Sequence, residues 1–467
     1  MAEVALVVVP VIYGVGCLRW VWKRLFYRGV HDSESWPLDH VEDFKPVPRM
    51  CQLILAVYEV DLKHPKWAPP GGYTIQLENI LYKVDYAQTD GIVPPYILYL
   101  DHENKDIVVA LRGLNLGKAR DYETLLDNKL GKQLFKGGYV HHGLLRAAVW
   151  LLVKEKDTLS RLVSEYPTYT LTFTGHSLGS GVASLATVLL ANYNFLVANI
   201  ARSRLQCFGI APARCMSLNL AVEYADIIDS IILQDDFLAR TATPLQDIFK
   251  SALCLPCLLC GRCLRDTCIP EKKLLEDPRR LYVPGRLHHI VDREFCRCGR
   301  YPPVVKTNIP VEGRFEHVVL SCDTTSDHSL IWIEREARTA LEIMAEQEDA
   351  LQIPESQKMA RLQTQKKEHN EVHHAALERM QTLNIPNAST TSDNLGDEKE
   401  HTYKGNDGHE SMSTFAESGE SVQEDNNDEQ RSKLEWEALV NQLFEKDFFH
   451  FEAVPDGNPR KVGYQPL

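Results

Sequence analysis

The chain of 467 residues is poor in basic charge. Its 51 Lys and Arg face 64 Asp and Glu, a formal net charge of −13. A nucleic-acid binder needs a basic face, and none is present, so nucleic acid is excluded as a partner. There is no internal repeat, which excludes solenoids and propellers. With 44% hydrophobic and 25% charged residues, the composition excludes collagen-like, wholly disordered and polytopic membrane classes. Cysteine is not spread along the chain: five of the twelve lie within Cys254–Cys268. That is unlike the disulfide framework of a secreted fold, and a reducing compartment is expected for the bulk of the chain. No positive charge precedes the apolar N-terminus, as it would in a cleavable signal peptide.

What is present is unevenly distributed. Residues 384–433 hold twelve Asp/Glu and four Lys/Arg, a net of −8, so the rest is only mildly acidic. At the other end, Val4–Leu18 is a run of 15 residues without charge, followed by Arg19, Lys23, Arg24 and Arg28. A spanning helix needs roughly 20 residues, and Trp20–Trp22 supply the remainder if Arg19 snorkels. The basic residues after the run place the following chain on the cytosolic side. Residues 1–28 are therefore expected to be a membrane segment. The alternative is an apolar helix packed on the protein's own body.

Residues 29–91 read as an irregular extension with one short helix near Met50–Tyr58. From 92 to 350 strands and helices alternate, which argues for a mostly parallel sheet covered on both faces. Tyr96–Asp101 and Ile107–Leu111 read as a hairpin, Tyr139–Lys154 as a helix and Tyr169–Thr174 as a strand. Leu178–Tyr193 is a small-residue helix. Leu205–Ile210, Ile227–Leu233, Leu281–Val283 and His317–Leu320 are further strands, and Ile331–Glu348 is a helix. Residues 351–383 are a charged helix without a clear apolar stripe. Residues 384–433 form a disordered acidic tail, and 434–467 a short terminal segment with a helix at Leu434–Phe451.

Chemistry concentrates at Gly175-His176-Ser177-Leu178-Gly179, a G-x-S-x-G between the strand YTLTFT and the small-residue helix. A serine on a tight strand-to-helix turn has its hydroxyl lifted above the sheet edge. The helix N-terminus offers free amides and positive dipole to a developing oxyanion. The same pattern without chemistry would be a glycine-rich turn. Partners should follow in the order acid, then histidine. Asp235 and Asp236 sit where the strand Ile227–Leu233 ends. His288, His289, His317, His328 and the histidines of the polar tail are the later candidates. His328 stands in a loop before a helix, the expected place, whereas His289 and His317 look like strand residues.

FTGHSLGSGVASL resembles the lipase class 3 family of α/β-hydrolases. DIVVALRGLNLGKARDYETLL is similar to that family's strand and oxyanion turn, GGYVHHGLLRAA to its V-H-x-G-F segment, and DDFLAR to its D-x-V-x-R. LYVPGRLHHI and SDHSLIWIE resemble the last strand and histidine loop of its sn-1 diacylglycerol lipase-like branch. Plant class 3 lipase-like proteins with an apolar N-terminus and a polar tail are the nearest in pattern. The resemblance implies an α/β-hydrolase fold and a triad of Ser177, Asp236 and His328. It also implies an oxyanion hole formed by the amides of Leu114 and Leu178, with no metal or organic cofactor. Leu114 replaces the Thr or Ser that family members often carry, so a helping hydroxyl is lost. Ala239 stands where Pro is common.

Between acid and histidine lies an insert, about 245–300, with Cys254, Cys257, Cys260, Cys263 and Cys268. The spacing is close to that of metal sites, but the interleaved Leu and Pro favour an apolar loop, S-acylated on a bilayer or packed as free thiols. The expected function is a membrane-associated serine lipase acting on di- or triacylglycerol. Alternatives are a phospholipase A1-type or other carboxylester hydrolase, or a regulatory pseudo-lipase. In the last case RWVWKRLFYR would suit calmodulin as well as it suits lipid headgroups.

Overall fold

The computed structural model describes residues 27–240, 277–293, 301–350, 355–383, 385 and 421–444, except 116, 130, 317, 318 and 320. Its centre is an eight-stranded sheet whose spatial order is the chain order. The strands are β1 (Ile80–Val84), β2 (Tyr96–Asp101), β3 (Asp106–Leu111), β4 (Thr170–His176), β5 (Leu205–Ile210), β6 (Ile228–Leu233), β7 (Arg286–Val291) and β8 (Val304–Asn308). Strands β3 to β7 are parallel; β1, β2 and β8 pair antiparallel at the two edges. This is the α/β-hydrolase architecture.

The topology decides where the helices go. Right-handed crossovers between strands laid down in one direction place every crossover helix on the same face. The helices concerned are those after β3, β4 and β5. Helix α1 (Val47–Tyr58) precedes the sheet, α2 (Ala119–Leu126) and α3 (His142–Glu165) follow β3, and α4 (Leu178–Asn192) follows β4. Helix α5 (Leu218–Glu223) lies between β5 and β6. Leu144, Leu151, Val182, Leu185 and Leu220 from α3, α4 and α5 share one core with Leu98 and Val109 of the sheet. The opposite face must be covered by elements outside the crossovers. α1 and α7 (Leu330–Ala350) do so, burying Leu53, Ile54, Ile333 and Ala337 against Val108, Phe208 and Ile231. With both faces covered, β2 and β3 are buried along their whole length, which is why YILYLD and DIVVAL are apolar without alternation.

The extension expected at 29–91 is part of this body. Strand β1 extends the sheet at one edge and α1 covers a face, so the folded unit begins well before 92. β1, β7 and β8 lack a long apolar run, and their burial patterns are mixed. Leu281–Tyr282 pairs with Met216–Ser217 in a separate ribbon, outside the main sheet. The strand expected at His317–Leu320 falls largely outside the described residues, as do Val4–Leu18, Cys254–Cys268 and most of the acidic tail. Among the described residues no helix is long and apolar enough to cross a membrane.

Two helices follow α7: α8 (Glu355–Thr382) and α9 (Ser421–Leu443). α8 has a short apolar patch at its end, where Ala376, Leu377 and Met380 join the main core. Residues 421–433, expected to be disordered, are helical. The docked end of α9 explains this, because Trp436, Leu439, Val440 and Leu443 are buried there. Arg431–Glu435 and Glu429–Lys433 pairs at i,i+4 spacing then carry the helix back into polar sequence.

The N-terminal segment is fastened to β7 by a buried ion pair. His288 lies between Asp39 (2.5 Å) and Asp229 (2.9 Å). Burial alone would lower its pKa, but the two carboxylates outweigh this and raise it to about 10. A raised histidine pKa stabilises the fold fully below the unfolded value of 6.5, and that contribution is lost as pH rises through 10. His288→Asn should therefore cost roughly 3–5 kcal/mol in denaturant melts at neutral pH, because it leaves buried carboxylates unpaired. The gap from wild type should narrow as the melts are repeated toward pH 10; a gap independent of pH would show that His288 is buried neutral.

Candidate active site

β4 ends at His176, and the chain turns into α4 through Ser177 at φ 54° and ψ −116°. A non-glycine residue held there costs about 1–3 kcal/mol and persists only where its surroundings over-determine it. Here they do. The Ser177 amide donates to Ile210 O on β5 at 2.9 Å, and the Ser180 hydroxyl donates to Ser177 O at 2.5 Å. A Cβ on Gly175 would collide with the Gly179 carbonyl, and one on Gly179 with the carbonyl of Arg112. The two glycines thus let β4, α4 and the end of β3 meet at one point. Ser177 is 7% exposed at that point, so its hydroxyl is nearly enclosed.

Asp236 follows β6, two strands away in the sheet. Its Oδ1 accepts Leu238 N–H at 2.9 Å and the Nδ1–H of His328 at 2.9 Å. Arg240, the last residue of DDFLAR, is fully buried. It donates to Asp236 O at 2.8 Å and pairs with Asp32 at 2.7 Å, fixing the acid's turn from below. His328 comes from the loop after a single turn, α6 (Thr324–Asp327), inserted before α7 in chain order. Its Nε2 lies 2.9 Å from Ser177 Oγ. With Nδ1 donating to a carboxylate, Nε2 is the acceptor for the serine proton. Phe237 covers the imidazole, ring centroids 4.7 Å apart. The structure thus brings together Ser177, His328 and Asp236. Asp235 points elsewhere: its Oδ1 accepts Gly29 N–H at 2.7 Å.

Leu178 is the first residue of α4, where amides have no acceptor within the helix. Leu114 lies in the loop after β3. The amide before it, Gly113 N–H, donates to Tyr58 Oη at 2.7 Å, and the amide after it, Asn115 N–H, to Asp121 Oδ2 at 2.7 Å. Leu114 N–H has no acceptor among the described residues. The loop is therefore pinned on both sides of one unpaired amide. Asp121 also accepts the Tyr86 hydroxyl at 2.6 Å.

The other histidines are held away from the triad or beside it. His288 and His289 sit on β7. His289 donates to Gln234 O at 3.1 Å and accepts the Ser33 hydroxyl at 2.7 Å, and burial lowers its pKa to about 3. His317 lies outside the described residues. His176, within the serine motif itself, contacts Tyr58 Oη and His328 O. Sequence reasoning missed Tyr58, Asp121 and the partners of the histidine loop. Asp327, immediately before His328, accepts Asp235 N–H at 2.8 Å and pairs with Arg293. Burial raises the Asp327 pKa to about 6, against the pull of Arg293. Only the spacing of Asp121 to Arg-Gly carried a signal; Tyr58 and Arg293 lie far off in sequence.

Residues 108–246 match the family described as lipase (class 3), and residues 8–75 match the lipase 3 N-terminal region. Mouse diacylglycerol lipase-beta is 30% identical over 170 residues, 34% of this chain. The match spans 24% of the mouse protein, about a quarter of its length. The lipase of Rhizopus microsporus var. chinensis superposes with a TM-score of 0.40 at 14% identity, covering 62% of this chain and 87% of its own. Rhizomucor miehei triacylglyceride lipase gives 0.39 at 14% identity, covering 64% of this chain and 95% of its own.

The two adjacent acids give a direct test of the geometry. Asp236→Asn should lower turnover on the order of 10⁴-fold, because only the residue bonded to Nδ1 fixes the histidine tautomer. Asp235→Asn, which keeps an acceptor for Gly29, should lose less than about tenfold. Steady-state rates on a chromogenic ester compare them; the reverse order would mean that the other carboxylate serves the histidine.

Proposed function

We propose that this chain, whose residues 108–246 are a class 3 lipase domain, hydrolyses acyl esters of di- or triacylglycerol at a membrane surface. The reading is carried by one observation: the unbroken line from Asp236 through His328 to Ser177, at 2.9 Å and 2.9 Å, on a strained elbow. As Ser177 Oγ attacks the ester carbonyl, His328 Nε2 takes its proton. Asp236 holds the tautomer and stabilises the imidazolium. The amides of Leu114 and Leu178 receive the oxyanion. Collapse of the tetrahedral intermediate expels the glycerolipid alcohol, which takes the proton back from His328. Water, activated by the same imidazole, then releases the fatty acid and restores Ser177.

Membrane attachment is supported by the apolar run Val4–Leu18 and the basic residues after it. The catalytic domain would then face the cytosol. A lipase gains from such a tether, since substrate and enzyme share one surface and capture needs no transfer through water.

Purified protein should release fatty acid from diacylglycerol carried in vesicles, or from a triacylglycerol emulsion, faster than from phosphatidylcholine, and Ser177→Ala should fall to a residual rate on the order of 10⁶-fold lower. Undiminished turnover in Ser177→Ala would remove the proposal, and a preference for phosphatidylcholine would replace it with phospholipase A1 activity. Removing residues 1–28 should lower the rate on vesicles far more than on a short soluble ester; equal loss on both would make that segment part of the fold instead of a tether.

A further inference from the structure

Two loops must be in register for acyl transfer: the loop that carries the Leu114 amide and the one that carries His328. They come from opposite ends of the domain. Among the described residues no backbone hydrogen bond joins residues 112–118 to residues 321–329. One phenol and one imidazole bridge them.

Tyr58 is the last residue of α1. Its hydroxyl accepts Gly113 N–H at 2.7 Å and lies 2.9 Å from His176 Nδ1. The other nitrogen of that ring, Nε2, is 2.8 Å from the carbonyl oxygen of His328. A carbonyl only accepts, so Nε2 carries the proton. Nδ1 is then an acceptor, and the Tyr58 hydroxyl donates to it. Every proton in the chain Gly113 N–H, Tyr58 O–H, His176 Nε2–H is thereby assigned, and each donor has one acceptor. Burial raises the Tyr58 pKa to about 12 and lowers that of His176 to about 3. Neither group titrates over the working range, so the direction of the chain does not reverse. The Tyr58 ring is fixed by the Arg112 guanidinium, 4.5 Å from its centroid. A Cβ on Gly113 would collide with both Tyr58 Oη and His176 Nδ1, so glycine is needed at the joint.

We infer that Tyr58 is a positioning residue for the acyl transfer proposed above: acting through His176, it holds the Leu114 amide in register with His328. It touches no reacting atom. Its hydroxyl sets where the oxyanion donor stands relative to the base, while α1 anchors the hydroxyl in the core beneath the sheet. The region matched at 8–75 then contributes to turnover as well as to burial.

The test uses the full chain and a short soluble ester. Tyr58→Phe keeps the ring and its stacking and removes only the hydroxyl. kcat should fall about 10- to 100-fold, the scale of a misplacement near 1 Å, with KM within about twofold of wild type. Tyr73→Phe is the control. It removes another partly buried hydroxyl, donated to Glu59 next to Tyr58 at 3.0 Å, and should leave kcat within about twofold. His176→Asn breaks the chain at its bond to His328. The double variant should lose about as much as the worse single variant, because one coupled unit is being cut twice. Unchanged kcat in Tyr58→Phe, a loss confined to KM, or losses that multiply in the double variant would each overturn the inference. Should Tyr58→Phe not fold, His176→Asn decides alone: a kcat loss at constant KM upholds the inference, and an unchanged kcat overturns it. Failure here is distinct from failure of the lipase reading, since an active wild type silenced by Ser177→Ala, with Tyr58→Phe at full rate, removes only the positioning role.

Discussion

The close approach of three backbones at Ser177 constrains the rest of the site. β4, the first turn of α4 and the end of β3 meet where Gly175 and Gly179 leave no room for a side chain. The serine in between is driven to φ 54°, where its hydroxyl stands clear of the sheet edge. Once that point is fixed, so are the amides around it. Leu178 N–H is an orphan of the helix start, and the loop after β3 is drawn alongside because Arg112 O packs on Gly179. The acid and the histidine must then arrive from the far side of the sheet. They do so on the turns after β6 and before α7.

The N-terminal segment secures this arrangement from outside the parallel strands. Gly29 holds Asp235, Asp32 holds Arg240 beneath Asp236, Asp39 holds His288, and Tyr58 reaches His176. Of these four contacts, spread over thirty residues of chain, two hold the turn of the acid, one holds the serine elbow and one holds β7. Electrostatics differentiates the histidines along the same strap. His288 lies between two carboxylates and is held charged, whereas His176 and His289 meet hydroxyls and carbonyls and stay neutral. The residue type is the same in each case. The count of neighbouring carboxylates decides the charge state, since burial pushes all three toward neutrality.

Much of this was legible in the sequence, for identifiable reasons. The parallel strands β3 to β6 read correctly because both of their faces are buried almost throughout, so apolar and β-branched residues dominate each run despite a few polar ones. The serine motif read as an elbow because a strand and a small-residue helix flank it. Asp236 could be separated from Asp235 only through the resemblance of DDFLAR, since two adjacent acids at a strand end are indistinguishable by pattern. β1 and β8 were missed as strands, whereas β7 was anticipated only through the resemblance of LYVPGRLHHI to the family's last strand and the strand character of His289. β1 and β8 are short and mixed in polarity, and at the sheet edges they leave even the apolar Leu81 and Val304 exposed, so neither shows an alternating pattern. The helical start of α9 was missed because its stability comes from four buried residues farther along. Tyr58, Asp121 and Arg293 act through contacts that periodicity cannot report.

Ser177 should behave as an activated nucleophile because His328 and Asp236 stand in line behind it. Reaction of the intact protein with a fluorophosphonate, followed by mass-spectrometric mapping of the modified peptide, tests this without any assumption about the lipid. A single adduct on Ser177, formed in wild type and lost in His328→Ala, is the expected result. An adduct on another serine, no adduct at all, or unchanged labelling of Ser177 without His328 would contradict it.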